Sequence, residues 1–158
     1  IDFWHYPLIK EEEIMENKAA LLLMSHGDFA TEIIKSAELI IGKQDNYATL
    51  GVHIDDQIDD LKEQMFKKIE GLDTSAGLVV FTDIVGGSPM NLALNLLSME
   101  NVVVCSGLNL PMLLECAFNR DKSVEQIEEV LKAAYKNGMT ILDNSSFDQE
   151  EDEDDCIL

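Results

Sequence analysis

Ala20-Leu21-Leu22-Leu23-Met24-Ser25-His26-Gly27 is an apolar run that stops at a hydroxyl, an imidazole and a glycine. A strand without polar alternation has both faces covered, which marks a parallel strand inside an α/β domain. A second stretch ends in the same manner: Leu78-Val79-Val80-Phe81-Thr82-Asp83 leads into Gly86-Gly87-Ser88-Pro89. Ligands of parallel sheets sit outside the carboxyl ends of the strands. If the two strands are neighbours, His26 and Asp83 share one rim.

Working outward, strand and helix patterns alternate. The first strand covers residues 19–25. Asp28 then opens a helix in which Phe29, Ile33, Ala37 and Ile40 or Ile41 recur at helical spacing, and Gly42 closes it. Residues 47–52 form a second strand. Asp55 or Asp56 caps a helix that runs to about Glu70, with Ile58, Leu61, Met65 and Ile69 as its inner face. The third strand is 77–82 and the third helix 88–98, with Ser88 as N-cap and Pro89 in the first helical position, where a missing amide hydrogen costs nothing. A fourth strand at 102–106, helices at 110–119 and 123–137, and a short strand from Met139 to Leu142 complete the pattern. The expected fold is α/β: a doubly wound, mostly parallel five-stranded sheet with helices on both faces.

The 158 residues, 46% apolar, suit one domain, expected at 18–143. Residues 1–17 differ in character from the rest of the chain: Ile1 to Ile14 hold the only Trp and show no period, and Met15 resembles a translation start, so the segment is read as a leader or expression-derived. Residues 144–158 read as an acidic disordered tail, since Asp148 and the run from Glu150 to Asp155 carry seven carboxylates and no base. A net charge of −20 argues against nucleic acid and anionic membranes, both of which require Lys and Arg. Cys105, Cys116 and Cys156 form no spaced pattern, no apolar run reaches membrane-spanning length and no signal peptide is visible, so a cytoplasmic location is expected.

The chemistry centres on His26. Neutral imidazole serves as nucleophile, base or ligand near neutral pH without extensive tuning. An Asp83 carboxylate bonded to Nδ1 would fix the tautomer that leaves a lone pair on Nε2 and would stabilise the cation formed on attack. Gly86 and Gly87 permit main-chain conformations that turn several amides to one point, Ser88 adds a hydroxyl, and a helix begins there with its positive end. These are the parts a transferred phosphoryl group requires. His53, after the second strand, falls near the same rim. Phe29, Val85 and Leu110 to Leu113 are expected to form an uncharged docking rim, with Met112 reading as core or interface filler.

Ser25-His26-Gly27 after an apolar strand, Asp83 closing another, Gly86-Gly87-Ser88-Pro89 with Asn91, and Gly107-Leu108-Asn109-Leu110-Pro111-Met112-Leu113 together resemble the IIA component of the mannose-type (mannose/fructose/sorbose) sugar phosphotransferase system. The resemblance spans residues 18–143. It implies a phosphohistidine at His26, received from the histidine phosphocarrier protein and passed to the IIB component, with membrane IIC and IID components completing sugar uptake. It also implies that Asp83 orients the imidazole, that Ser88 helps hold the phosphate, that no metal or other cofactor takes part, and that a homodimer forms in which the last strand, Met139 to Leu142, crosses antiparallel to the partner's sheet. Ile84-Val85 departs from the family, some members of which carry a polar residue and a tryptophan there.

Three other readings are weaker. A response-regulator receiver needs an acidic pair after its first strand to hold magnesium, and Ser25-His26 stands there instead. A Ser88-His26-Asp83 hydrolase lacks the Gly-x-Ser-x-Gly elbow. A regulatory IIA-like domain, whose phosphorylation state at His26 a partner reads, would carry the same residues, usually within a longer chain.

Overall fold

The computed structural model describes residues 17–146. Of the expected leader (1–17) and acidic tail (144–158), all but residue 17 and residues 144–146, which form a 3-10 turn, lie outside the described residues. Four strands, β1 (Ala20–His26), β2 (Tyr47–Val52), β3 (Leu78–Thr82) and β4 (Val102–Ser106), form one sheet in the order β2-β1-β3-β4. Every pairing is parallel, with Leu22 opposite Ala48 and Val80, and Val80 opposite Val104. Five α-helices connect and flank them: α1 (Phe29–Ile41), α2 (Ile58–Glu70), α3 (Gly87–Leu94), α4 (Leu110–Phe118) and α5 (Val124–Asn137).

The unbroken apolar run of β1 is explained by burial on both sides. Leu21 and Leu23, with Val79 and Phe81, meet α1, α4 and α5, while Leu22 and Met24, with Leu78 and Val80, meet α2 and α3. Each fully buried side chain of this size contributes roughly 1.5–3 kcal/mol, which makes the central pair β1 and β3 the most firmly held part of the domain. At the amino end of the sheet, buried Arg120 donates to the main-chain carbonyls of Ala19, Asp45 and Asn46 at 2.8–2.9 Å and ties β1 to the chain entering β2.

The doubly wound parallel expectation holds, with four strands in place of five among the described residues. Met139 to Leu142 is not a strand: Met139, Ile141 and Leu142 are 75%, 80% and 74% exposed, and the segment pairs with no strand of its own chain among the described residues. A strand exists only through a partner's hydrogen bonds, and β4 keeps its outer edge open. Smaller differences concern helix ends. The third helix begins at Gly87 and tightens into a 3-10 turn at Asn95–Ser98, and the second has Gln57, not Asp55 or Asp56, at its N-cap position, with no side-chain capping bond. Ile58 and Phe29 turn outward (50% and 43% exposed), while Met112 and Leu113 are buried under α5, so the expected docking rim loses those two residues to the core. Among the described residues no helix is long and apolar enough to cross a membrane.

Candidate functional site

The strand order reverses direction between β1 and β3, and the crevice above such a reversal is where doubly wound sheets bind ligands. His26 ends β1 at this point and Asp83 follows β3. The His26 ring Nδ1 lies 2.8 Å from Asp83 Oδ2, and the same oxygen accepts the His26 main-chain amide at 2.9 Å. Asp83 Oδ1 accepts the Ile84 amide at 2.9 Å. Burial pushes the Asp83 carboxyl upward, but the bonds from the His26 amide, the His26 ring and the Ile84 amide outweigh it and hold its pKa below the ordinary carboxylate value. An ionised Asp83 accepts at Nδ1, so the tautomer with its proton on Nδ1 is favoured and Nε2 keeps its lone pair.

The ring is half exposed while Asp83 is largely covered, with side-chain exposures of 48% and 14%. The ring is therefore accessible while the carboxylate bonded to it is largely covered. Gly86 and Gly87 adopt φ of +82° and +77°, and a Cβ on Gly87 would stand 3.0 Å from His26 Cε1 and 3.1 Å from Nε2. Glycine is thus needed here twice, for the left-handed backbone and for the close approach of the loop to the ring. The first turn of α3, whose unpaired amides favour an anion, comes directly after it, with half-buried Ser88 as its second residue. Ser88 is therefore inside the helix and does not cap it, and Gly86 holds the N-cap position. Ile84 and Val85, 56% and 82% exposed, form the apolar rim on this side.

Two contributors escaped the sequence reading. Ser25 is fully buried, and its Oγ accepts the Ala30 amide at 2.8 Å, capping α1 from the strand and fixing the turn after His26. Its signal was present in the hydroxyl that interrupts an apolar strand one residue before His26. Arg120 carried no such signal, because its partners are main-chain carbonyls distant in sequence. His53 lies at the carboxyl end of β2, bonded to Asp28.

Fold and site together make a parallel α/β domain with a carboxylate-bonded, half-exposed histidine and a glycine loop at the switch point of its sheet. A family model described as the PTS system fructose IIA component, the mannose-type EIIA family, matches residues 20–135. The chain is 30% identical over 120 residues to the "PTS system mannose-specific EIIAB component" of Escherichia coli (strain K12), covering 75% of this chain and 37% of that protein. It is 28% identical over 109 residues to the "PTS system sorbose-specific EIIA component" of Lacticaseibacillus casei, 68% of this chain and 78% of that one. Among solved structures, a mannose/sorbose-specific IIA subunit from Enterococcus faecalis superposes with a TM-score of 0.72 at 26% identity, covering 80% of this chain and 96% of that chain. A IIA protein associated with the fucose utilization operon of Streptococcus pneumoniae gives 0.70 at 29%, with coverages of 78% and 93%. The chain belongs to the mannose-type IIA family of the sugar phosphotransferase system. The chain spans little more than a third of the length of the mannose-specific EIIAB relatives it matches.

Proposed function

We propose that the chain is a phosphoryl carrier in which Nε2 of His26 accepts a phosphoryl group from the histidine phosphocarrier protein and passes it to the IIB component. The observation that carries this reading is the 2.8 Å contact between Nδ1 and Asp83, with the opposite edge of the ring turned to the Gly86-Gly87 loop. The Nε2 lone pair attacks phosphorus as the phosphorus–nitrogen bond of the donor breaks, and the donor imidazole keeps the electron pair of that bond. The positive charge gained by the His26 ring is offset by Asp83 through the Nδ1 proton. Amides at the start of α3 and the Ser88 hydroxyl are suited to the equatorial oxygens, so that the transfer depends on positioning and charge stabilisation. Onward transfer to IIB runs the same step in reverse, and the membrane IIC and IID components would then phosphorylate and import the sugar. The reading places the protein in the cytoplasm, with residues 18–143 as the functional domain.

A homodimer belongs to the same proposal. Its support is the open edge of β4, which borders a groove of about 630 Å³ lined by Leu97, Leu131 and Tyr135, together with the exposed Met139 to Leu142 segment able to add a strand there. The phosphoryl role is tested by incubating the protein with phosphoenolpyruvate, the general phosphotransferase enzyme and the phosphocarrier. The expected product is an acid-labile, base-stable phosphate that disappears in His26→Ala; label retained in that variant moves the chemistry to another residue.

A further inference from the structure

A second histidine stands on the same rim, and phosphoryl transfer at His26 leaves it without a task. The His53 ring lies between two carboxylates, with Nε2 3.1 Å from Asp28 Oδ1 and Nδ1 3.5 Å from Asp56 Oδ2. Asp56 Oδ2 also accepts the His53 main-chain amide at 2.7 Å, and the Asp56 amide donates to the His53 carbonyl at 3.1 Å. That end of the clamp is built into the turn between β2 and α2. The other end belongs to the turn that carries His26. Asp28 occupies the N-cap position of α1, two residues after His26, but its carboxylate makes no capping bond, because the Ala30 amide is bonded to Ser25 Oγ. The Asp28 carboxylate is left to bond His53.

The two turns are also pressed together along the main chain. The Gly27 amide donates to the Val52 carbonyl at 2.8 Å, and any Cβ on Gly51 would overlap the Gly27 carbonyl oxygen and come within 3.1 Å of His53 Cε1. A shift of the β2–α2 turn is therefore transmitted to Gly27, the residue next to His26.

We propose that His53 is a positioning residue for the phosphoryl acceptor: clamped between Asp28 and Asp56, it straps the His26 turn to the β2–α2 turn and offsets the Asp28 charge while His26 carries a phosphoryl group. The inference rests on the reading of His26 as that acceptor. The charged groups that face the ring are Asp28, from the turn opening α1, which hydrogen-bonds it, and Asp56, from its own turn, at ion-pair distance. A neutral imidazole hydrogen-bonds Asp28 alone, whereas the imidazolium keeps that bond and adds a charge that Asp56, at ion-pair distance, attracts. Phosphorylation adds roughly −1.5 to −2 charge within two residues of Asp28, so the cationic ring is worth most when His26 is loaded. Both effects grow as the ring gains its second proton.

The test uses the full chain and the variants His53→Ala and His53→Gln, labelled through the phosphocarrier from about pH 6 to about pH 8.5. Glutamine keeps an amide donor for one carboxylate and has no charge, which separates the strap from the cation. His53→Ala is expected to label about two- to fivefold more slowly than wild type at the acidic end, with a gap that narrows toward the alkaline end. His53→Gln should match wild type at the alkaline end and fall between wild type and His53→Ala at the acidic end. Equal rates for all three proteins at every pH overturn the proposal, as does a His53→Ala deficit of constant size, which is what a purely structural role would give. Absence of label on wild type, or label persisting in His26→Ala, overturns the acceptor reading and this inference with it. Label confined to His26 with no His53 effect overturns this inference alone.

Discussion

Gly87→Ala offers a sharp test of how the glycine loop serves His26, because its neighbour supplies a built-in control. Both Gly86 and Gly87 hold left-handed φ values, +82° and +77°, so an alanine at either position suffers about 1–2 kcal/mol of backbone strain. Across a domain of this size that lowers Tm by several degrees. The two positions differ in what the new methyl meets. At Gly86 nothing lies within 4 Å, whereas at Gly87 the methyl stands 3.0 Å from His26 Cε1 and 3.1 Å from Nε2. Ordinary contact begins near 3.5 Å, so the ring has to move by about half an ångström. It is half exposed and free to do so, and in moving it lengthens the 2.8 Å bond to Asp83 while the methyl occupies space beside Nε2. Misplacement of a reacting group on this scale costs about ten- to a hundredfold in rate. The assay is the initial rate of phosphoryl labelling beside thermal denaturation for both variants. Similar Tm losses are expected, with labelling slowed strongly only in Gly87→Ala. Equal labelling rates in the two variants would refute the claim that close approach of the loop to the ring matters.

The geometry sets two further outcomes. Asp83 has a folded pKa below its unfolded value, so its contribution to stability is present above the ordinary carboxylate range and is lost as pH falls through the lowered value; denaturant titrations should therefore show wild type more stable than Asp83→Asn near neutrality, with the difference closing below about pH 4, and a difference independent of pH would contradict this. Arg120→Met removes bonds to three carbonyls from a buried site and should lower unfolding free energy by about 3 kcal/mol in denaturant, while a loss under about 1 kcal/mol would mean water replaces the guanidinium.

Much of this architecture is legible in the chain because the relevant signals are local. The β1 run, the glycine after α1 whose amide bonds Glu38, and the Ser123 capping box with Gln126 each act within a few residues. The pairing of His26 with Asp83 was legible for a different reason: both end apolar strands, and parallel sheets gather strand ends on one side. What stayed hidden depends on distant or absent partners. Arg120 resembles a surface residue until Ala19, 101 residues away, accepts its bond. Met139 to Leu142 has strand composition but no strand beside it among the described residues of its own chain. Met112 reads as a rim residue because an apolar side chain just after a strand end fits either surface or core, and only the crossing of α5 decides. Asp28 sits where a capping residue belongs, and the competition between Ser25 and Asp28 for the helix amides could be resolved only in three dimensions.

Asp83 holds His26 by two handles, the ring and the main-chain amide of the same residue. The amide belongs to a strand paired on both sides, so the carboxylate takes its bearing from the rigid sheet and passes that bearing to the imidazole. On the proposed reading of His26 as a phosphoryl acceptor, a ring aligned this way has little reorganisation to undergo between its empty and loaded forms, which keeps the intrinsic barrier low for traffic in either direction. In that role the domain is a reversible relay whose direction is set by its partners' transfer potentials.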